Sequence, residues 1–315
     1  MTQVTAAIAT YNRAAFLIEA VESALAQEDV ELEVIVVDDG STDDTARALE
    51  PYLDRIEYVH QPNAGRAAAR NAAIRRARGT YVALLDDDDV WLPDKLARQV
   101  AYMDAHPAVG LSHGQAELID EHGRTLPEET ALQQRLFSEL HRQPPTYATY
   151  ARHCLCLTSA TIVRRDAFDR AGLYDDSAAL TGQSVTGEDL DLYLRIALDY
   201  ELAFLDGPPL MRYRVHGSQT SLDELTRGEI AVARKHLGLL AERPGPQREE
   251  RLGLQLRLLD CYHRLADGPA ARAAAREAFA LDRRLGYSPA FLRRVGLSLV
   301  PEPLLRRARS VKRAL

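Results

Sequence analysis

The chain has 315 residues, of which 46% are hydrophobic and 27% charged, and its formal net charge at pH 7 is −7. This length suggests about two domains with sizeable cores and excludes a disordered or collagen-like polymer. The sequence contains no run of about 18 apolar residues, so no transmembrane helix is predicted, and the N-terminus does not resemble a secretory signal. The three cysteines have the spacing of neither a disulfide framework nor a zinc knuckle, so we expect a cytoplasmic protein.

Charge is distributed unevenly along the chain. Residues 223–315 contain 19 Lys and Arg against 11 Asp and Glu, whereas residues 1–222 contain 20 against 35. An acidic N-terminal part would repel the phosphates of a nucleic acid, so nucleic acid is not an expected partner. The division predicts two parts with different electrostatic roles.

The first 115 residues alternate between apolar runs and helical patterns. Strands are predicted at 4–9, 33–37 and 81–85. Helices are predicted after the first strand, after the second with Ser41 or Thr42 as N-cap, at 67–78, and after Pro93. This order predicts a parallel sheet with helices on both faces.

Polar residues follow each predicted strand, at 10–12, 38–39 and 86–89. Ligands of such sheets bind beyond the carboxyl ends of the strands, so these segments are expected to meet at one edge. An acidic helix N-terminus would explain one or two of the aspartates at 86–89, but four adjacent carboxylates repel one another unless a cation lies among them. Their hard oxygen atoms suit Mg²⁺ or Mn²⁺.

The pattern of predicted elements changes after residue 115. Residues 116–222 are irregular, with a helix predicted after Glu188-Asp189, and residues 223–315 read as successive helices. The tail 302–315 has an apolar stripe opposed by arginines, which fits either a helix docked on its own domain or a peripheral membrane contact.

Five motifs together resemble family 2 glycosyltransferases. They are Thr10-Tyr11-Asn12-Arg13, residues 37–43 (Val-Asp-Asp-Gly-Ser-Thr-Asp), residues 63–71 (Asn-x-Gly-x-x-x-Ala-Arg-Asn), residues 85–89 (Leu-Asp-x-Asp-Asp) and Glu188-Asp189. The resemblance covers about residues 1–222 and implies a GT-A fold, an α/β domain with a Rossmann-like, mostly parallel sheet flanked by helices. We expect a nucleotide-sugar half at 1–115, an acceptor half at 116–222, and an all-helical C-terminal extension at 223–315.

The resemblance also implies a nucleotide site at the first strand ends. Tyr11 would stack on the base, beside Thr10, Asn12 and Arg13, since aromatic side chains stack readily on bases. Either Asp38 or Asp39 would accept a hydrogen bond from the base, and the second of the pair could instead cap the following helix. Arg70 would lie near the diphosphate or the base.

The resemblance further implies a metal site and a catalytic base. Asp88 would bind the ion, and Asp86 would reach the ribose or a metal-bound water. Asp87 would also belong to the nucleotide site, although the D-x-D pattern fits Asp87 and Asp89 as well. Asp189 would be the general base of an inverting transfer, with Glu188 orienting the site. Both acids also suit a helix N-terminus.

A downstream segment, 213–221, is similar to a further element of the family. His216 would be a metal or phosphate ligand, and Arg214 and Ser218 would contact the diphosphate. The Gln-x-x-Arg-Trp element of processive synthases is missing from the sequence, which favours single additions.

The predicted reaction is transfer of one sugar from a nucleotide-diphosphate donor, with UDP favoured over GDP and dTDP, to a glycan, lipid-linked or small-molecule acceptor. The sequence leaves open whether the helical tail mediates a homodimer. Two alternatives are a haloacid-dehalogenase-like phosphatase, which leaves residues 10–12 and 38–43 unexplained, and a nucleotide-sugar binding module without turnover, against which Asp189 argues. A sugar nucleotidyltransferase would need a Gly-rich, Lys-bearing loop after the first strand, which is missing from the sequence.

Overall fold

A computed structural model of the chain describes residues 3–143, 145–153, 156–177, 186–245 and 247–298. The chain divides into two compact units. Unit 1 comprises Met1–Thr146, Leu155–Asp176 and Leu192–Gln219, and unit 2 comprises Tyr147–Cys154, Ser177–Asp191 and Thr220–Leu315. The predicted amphipathic tail 302–315 lies outside the described residues.

The strands of the described chain all belong to unit 1. They are β1 (Val4–Thr10), β2 (Leu32–Asp38), β3 (Glu57–His60), β4 (Tyr81–Asp86), β5 (Val90–Trp91), β6 (Val109–Gly114), β7 (Ala116–Ile119), β8 (Ile162–Arg164), β9 (Glu201–Leu205) and β10 (Met211–Arg214). The larger sheet has the order β3-β2-β1-β4-β8-β6-β9, and the smaller has the order β5-β10-β7.

The larger sheet is mostly parallel, as expected from the sequence. Strands β1 to β4 run parallel to one another, β6 runs parallel to β9, and β8 is antiparallel to both β4 and β6. The predicted strands at 4–9, 33–37 and 81–85 correspond to β1, β2 and β4. Strand β3 was not predicted, because its four residues, Glu-Tyr-Val-His, are too few and too polar to form an apolar run.

The helices are α1 (Ala14–Leu25), α2 (Thr45–Leu49), α3 (Arg66–Arg76), α4 (Lys95–Ala105), α5 (Pro127–Leu140), α6 (Tyr147–His153), α7 (Arg165–Ala171), α8 (Glu188–Ile196), α9 (Leu222–Glu242), α10 (Arg248–Arg264), α11 (Gly268–Leu281) and α12 (Pro289–Leu297). Helix α8 begins in unit 2 and ends in unit 1. Among the described helices, none combines the length and apolarity needed to cross a membrane.

The core of unit 1 lies between the larger sheet and its helices. Fully buried side chains of β1 and α1, such as Ile8, Leu17 and Val21, pack together with Leu85 of β4 and Leu96 of α4. This packing follows from the apolar positions at helical spacing in α1 and α4, which form one buried face on each helix.

Helix α2 begins later than the sequence predicted. Its N-cap is Asp44, not Ser41 or Thr42, so that prediction was wrong. The Ser41 N–H donates to Asp38 Oδ1 at 2.8 Å, and the Thr42 N–H donates to Asn12 Oδ1 at 2.7 Å. These hydrogen bonds to side chains hold residues 41–43 in a loop, so the helix begins only after them.

Unit 2 is helical in its described residues. Helix α10 packs against α6, α9 and α11, with Leu254, Leu258 and Cys261 buried among them. Helix α9 begins with a capping box in which Ser221 and Glu224 bond each other's backbone N–H.

Candidate active site

Three strand ends meet at one edge of the larger sheet. In the register of the sheet, Thr10 at the end of β1 lies beside Asp38 of β2, and Ala9 lies beside Asp86 of β4. The segments 10–12, 38–39 and 86–89 therefore lie at the same edge, as the sequence predicted.

Asp38 and Asp39 are both buried, and each carboxylate accepts hydrogen bonds from the surrounding loops. Asp38 accepts from the Ser41 N–H and from the Tyr58 hydroxyl, the latter at 2.8 Å. The carboxylate of Asp39 accepts from the backbone N–H groups of Ala64 and Gly65 at 3.0 and 2.8 Å. Asp39 thus holds the loop before α3 and does not cap α2.

Tyr11 presents an open aromatic surface at this edge. Its side chain is 47% exposed, although the neighbouring Thr10 is buried. The next residue, Asn12, has a φ of 53°, which turns the chain sharply away from β1. An exposed ring beside buried carboxylates suits the stacking of a planar ligand.

Arg70 lies on α3 and is almost completely buried, and its guanidinium donates to Asp86 Oδ1. Burial alone would raise the pKa of Asp86, but the Arg70 and Arg66 guanidinium groups hold that pKa below its ordinary value. Asp86 is therefore ionised at neutral pH, and Arg70 is its direct partner.

Asp87 and Asp89 point into the protein. Asp87 Oδ2 accepts from the Thr10 hydroxyl at 2.7 Å, and Asp89 accepts from the Ser159 hydroxyl at 2.6 Å and the Arg214 N–H at 2.9 Å. Burial and the nearby Asp88 carboxylate raise the pKa of Asp87 to about 7 and raise the pKa of Asp89 well above its ordinary value.

Asp88 joins two further predicted residues. Its Oδ2 lies 3.0 Å from His216 Nε2 and accepts a hydrogen bond from Arg13. His216 also stacks on Phe16 at 5.5 Å, and Ser218 Oγ lies 2.9 Å from His216 Nδ1. Asp88, His216 and Ser218 thus form one hydrogen-bonded chain.

The aspartates form a set of oxygen donors that fits a divalent cation. One carboxylate oxygen from each of Asp86, Asp88 and Asp89 lies within 4.8 Å of the others. Burial first, and then the neighbouring Asp88 carboxylate, raise the pKa of Asp87 and of Asp89, so the cluster favours the approach of a positive charge. Hard oxygen ligands with excess negative charge match Mg²⁺ and Mn²⁺.

Arg214 is bound within the protein. Its side chain is 1% exposed, its Nε donates to the backbone oxygen of Asp88 at 2.8 Å, and its Nη2 pairs with Glu19 at 2.8 Å. The guanidinium also lies over the ring of Phe16. It supports the turn that carries Asp88.

Glu188 and Asp189 open helix α8, as the sequence predicted, and both belong to unit 2. Glu188 is buried, and Asp189 is half-buried. Acidic residues in a first helical turn are stabilised by the helix dipole.

Ser159 supports the aspartate turn, residues 86–89, although it belongs to no recognisable sequence motif. Its hydroxyl accepts from the Asp86 N–H at 3.0 Å and donates to Asp89, and its carbonyl accepts from the Trp91 indole N–H at 2.7 Å. No local pattern could have indicated this role, because Ser159 lies about 70 residues from its partners.

A family model described as Glycosyl transferase family 2 matches residues 5–170, more than half of the chain. The chain belongs to this family. Among curated relatives, it is 30% identical over 228 residues to an uncharacterized glycosyltransferase of Rickettsia prowazekii, with 70% of this chain and 67% of that protein covered. It is 40% identical over 138 residues to the succinoglycan biosynthesis protein ExoO of Rhizobium meliloti, with 43% of this chain and 37% of that protein covered.

Other relatives are much longer. An uncharacterized glycosyltransferase of Rickettsia felis is 40% identical over 125 residues, which cover 39% of this chain but 21% of that protein. The match therefore spans about a fifth of the length of that relative.

Solved structures share the fold. The crystal structure of S. aureus TarS 1-349 in complex with UDP-GlcNAc has a TM-score of 0.64 at 18% identity and covers 98% of this chain and 87% of that one. The mannosyltransferase PcManGT of Pyrobaculum calidifontis, in complex with GDP-Man and Mn²⁺, has a TM-score of 0.60 at 19% identity with the same coverage. The GT-A fold expected from the motifs is confirmed.

Proposed function

We propose that this chain is a metal-dependent, inverting glycosyltransferase that moves one sugar from a nucleotide-diphosphate donor to a hydroxyl acceptor. The observation that carries the proposal is the set of three aspartate oxygens within 4.8 Å of one another, at the sheet edge where Tyr11 is exposed. The family match and the nucleotide sugars bound to the two structural neighbours support it.

The nucleotide is proposed to lie over the ends of β1 and β2. Tyr11 stacks on the base, and Thr10, Asn12 and Arg13 line the approach to the aspartates. Of the two buried carboxylates, Asp38 and Asp39, we assign the contact with the base to Asp38. The reason is that Asp39 already accepts three hydrogen bonds, from Gln61, Ala64 and Gly65.

Asp88 is proposed to hold the metal, with Asp86 beside it and His216 as a further ligand. An ion held there would neutralise negative charge on the diphosphate leaving group. Asp87 accepts from Thr10 and lies outside the set of three oxygens, which favours the register Asp86–Asp88 for the D-x-D element. Asp89 completes that set while it accepts from Ser159 and from the Arg214 N–H. Arg70 orients Asp86, while Arg214 and Ser218 support Asp88 and His216.

Asp189 is proposed as the general base. It removes the proton of the acceptor hydroxyl while the acceptor oxygen bonds to the anomeric carbon, and the electron pair of the breaking bond leaves with the nucleotide diphosphate. Glu188 supports the same helical turn. The acceptor is proposed to be a growing glycan, in keeping with the succinoglycan biosynthesis relative.

The first test is calorimetric titration of UDP, GDP and dTDP, each with Mn²⁺ and with a chelator. We expect one of the three nucleotides, with UDP favoured, to bind only in the presence of the metal. The Tyr11→Ala variant is expected to bind this nucleotide at least tenfold more weakly. Failure of every nucleotide diphosphate to bind under both conditions contradicts the proposal.

A further inference from the structure

Helix α9 contacts the beginning of α8 at successive turns, all within unit 2. Thr186 Oγ1, just before α8, donates to the backbone oxygen of Glu224 at 3.0 Å. One and two turns further along α9, Gly228 and Val232 lie against Gly187. One face of α9 therefore lies against the residues that immediately precede α8, since residues four apart share a helix face.

The contact at Gly228 is a close approach of two backbones. A Cβ atom placed on Gly228 would lie 2.3 Å from the Thr186 carbonyl oxygen and 2.5 Å from its Oγ1. Gly187 has a φ of +89°, a conformation that other residues adopt only with strain. The entry to α8 is thus fixed by two glycines that face each other.

A buried hydrogen-bonded chain holds the first turn of α8, to which Asp191 belongs. Asp191 Oδ1 lies 3.1 Å from His236 Nε2 and 2.8 Å from Lys235 Nζ, and His236 Nδ1 lies 2.8 Å from the Tyr147 hydroxyl on α6. Asp191 and His236 are completely buried. With the proton on Nε2, His236 donates to Asp191 and accepts from Tyr147. Removing one member of such a chain leaves a buried polar group without its partner.

We propose that α9 positions the catalytic base: Gly228 and His236 act as positioning residues that fix the helical turn carrying Asp189. This inference rests on the proposed function. Asp189 lies between Gly187 and Asp191, which are both held by α9. At 100° per residue, Asp189 is about 200° around the helix from Asp191, so its carboxylate projects from another face than the one that α9 holds.

The proposal gives the helical C-terminal region a part in the transfer step. A general base must lie within hydrogen-bonding reach of the proton that it removes, and a displacement of about 1 Å costs on the order of 100-fold in rate. The donor nucleotide binds to unit 1 in the proposed function, so loosening α9 lowers turnover without weakening nucleotide binding.

The test compares Gly228→Ala with Gly238→Ala. Both glycines lie within α9, but a Cβ atom on Gly238 has nothing within 4 Å. The probe reaction is hydrolysis of UDP-GlcNAc, UDP-glucose or GDP-mannose with Mn²⁺, whichever is fastest, in which water replaces the acceptor. We expect kcat to fall ten- to 100-fold in Gly228→Ala and to stay within twofold in Gly238→Ala, with the Kd of the nucleotide diphosphate within twofold in both.

His236→Leu and His236→Gln provide the second comparison. We expect His236→Leu to lower kcat at least tenfold and His236→Gln, whose amide can still donate to Asp191, to recover part of that loss at unchanged nucleotide Kd. If Gly228→Ala or a His236 variant does not fold, as judged by circular dichroism, Thr186→Val replaces it in the test, because this change removes only the hydrogen bond to Glu224. Folded variants with unchanged kcat, or with equal losses in kcat and nucleotide affinity, overturn the positioning role.

Asp189→Asn separates this proposal from the proposed function. Loss of hydrolysis with retained nucleotide binding confirms that the base exists and leaves the α9 variants to decide its positioning. Full activity of Asp189→Asn overturns the assignment of the base and, with it, the role of α9. Absence of nucleotide binding by the unaltered protein overturns the proposed function itself.

Discussion

Ser159 Oγ donates a hydrogen bond of 2.6 Å to Asp89 Oδ2 while it accepts one of 3.0 Å from the backbone N–H of Asp86. One hydroxyl therefore joins the two ends of the turn that carries the four aspartates, residues 86–89. Asp89 also accepts from the Arg214 N–H, which ties the turn to β10. The geometry of the proposed metal site depends on this buried support.

Ser159→Ala is expected to lower the free energy of unfolding by about 1–3 kcal/mol, because Asp89 and the Asp86 N–H lose a buried partner. We also expect Mn²⁺-dependent nucleotide binding to weaken several-fold, since the turn is less well fixed. Urea unfolding and calorimetry measure the two effects. Unchanged stability and affinity would show that Ser159 does not support the turn.

Asp88→Asn is expected to weaken Mn²⁺ binding at least tenfold, because one charged ligand of the cluster is lost. Electron paramagnetic resonance of free Mn²⁺ measures the affinity directly, without turnover. Asp94→Asn is the matched control, since the Asp94 side chain is largely exposed and pairs with Arg98. Equal Mn²⁺ affinity in both variants would contradict a metal site at Asp88.

Much of unit 1 could be predicted because its signals are local. Strands β1, β2 and β4 are mostly apolar, and each ends at polar residues that the parallel register brings to one edge. Strand β3 could not be predicted, since Glu57–His60 is short and only partly buried, and its pairing with β2 decides its conformation.

The roles of single side chains were harder to predict, because they depend on long-range contacts. The sequence suggested a diphosphate contact for Arg214, but its guanidinium is buried against Glu19, 195 residues away, and the Asp88 carbonyl oxygen. The alternatives for Asp39 were open for the same reason: its partners Ala64 and Gly65 lie in the loop before α3.

Gly40→Ala is expected to destabilise the protein by at least about 1 kcal/mol, because Gly40 has a φ of +83° and a Cβ atom there would lie 2.8 Å from the Asn63 backbone nitrogen. The added methyl group would displace the loop that contains Asn63. The same loop carries the Ala64 and Gly65 N–H groups that donate to Asp39, so nucleotide affinity is expected to fall. Gly217→Ala, with nothing within 4 Å of the added Cβ, is the control. Similar thermal unfolding of the two variants would show that the loop accommodates the methyl group.

His153 makes unit 2 sensitive to acid. Burial, with the nearby positive charges of Arg152, Arg257 and Arg294, lowers the pKa of His153 from 6.5 to about 4. The unfolded chain therefore binds the proton more tightly, so the stability contributed by neutral His153 is complete above about pH 6.5 and is lost as the pH falls towards 4.

We expect His153 to account for at most about 2 kcal/mol of the stability lost between pH 7.5 and pH 5. His153→Gln cannot take up the proton, so its free energy of unfolding should decrease less over this interval, as measured by urea unfolding at both pH values. His122→Gln is the control, because the His122 side chain is 66% exposed. Equal pH dependence of the two variants would show that protonation of His153 does not oppose folding.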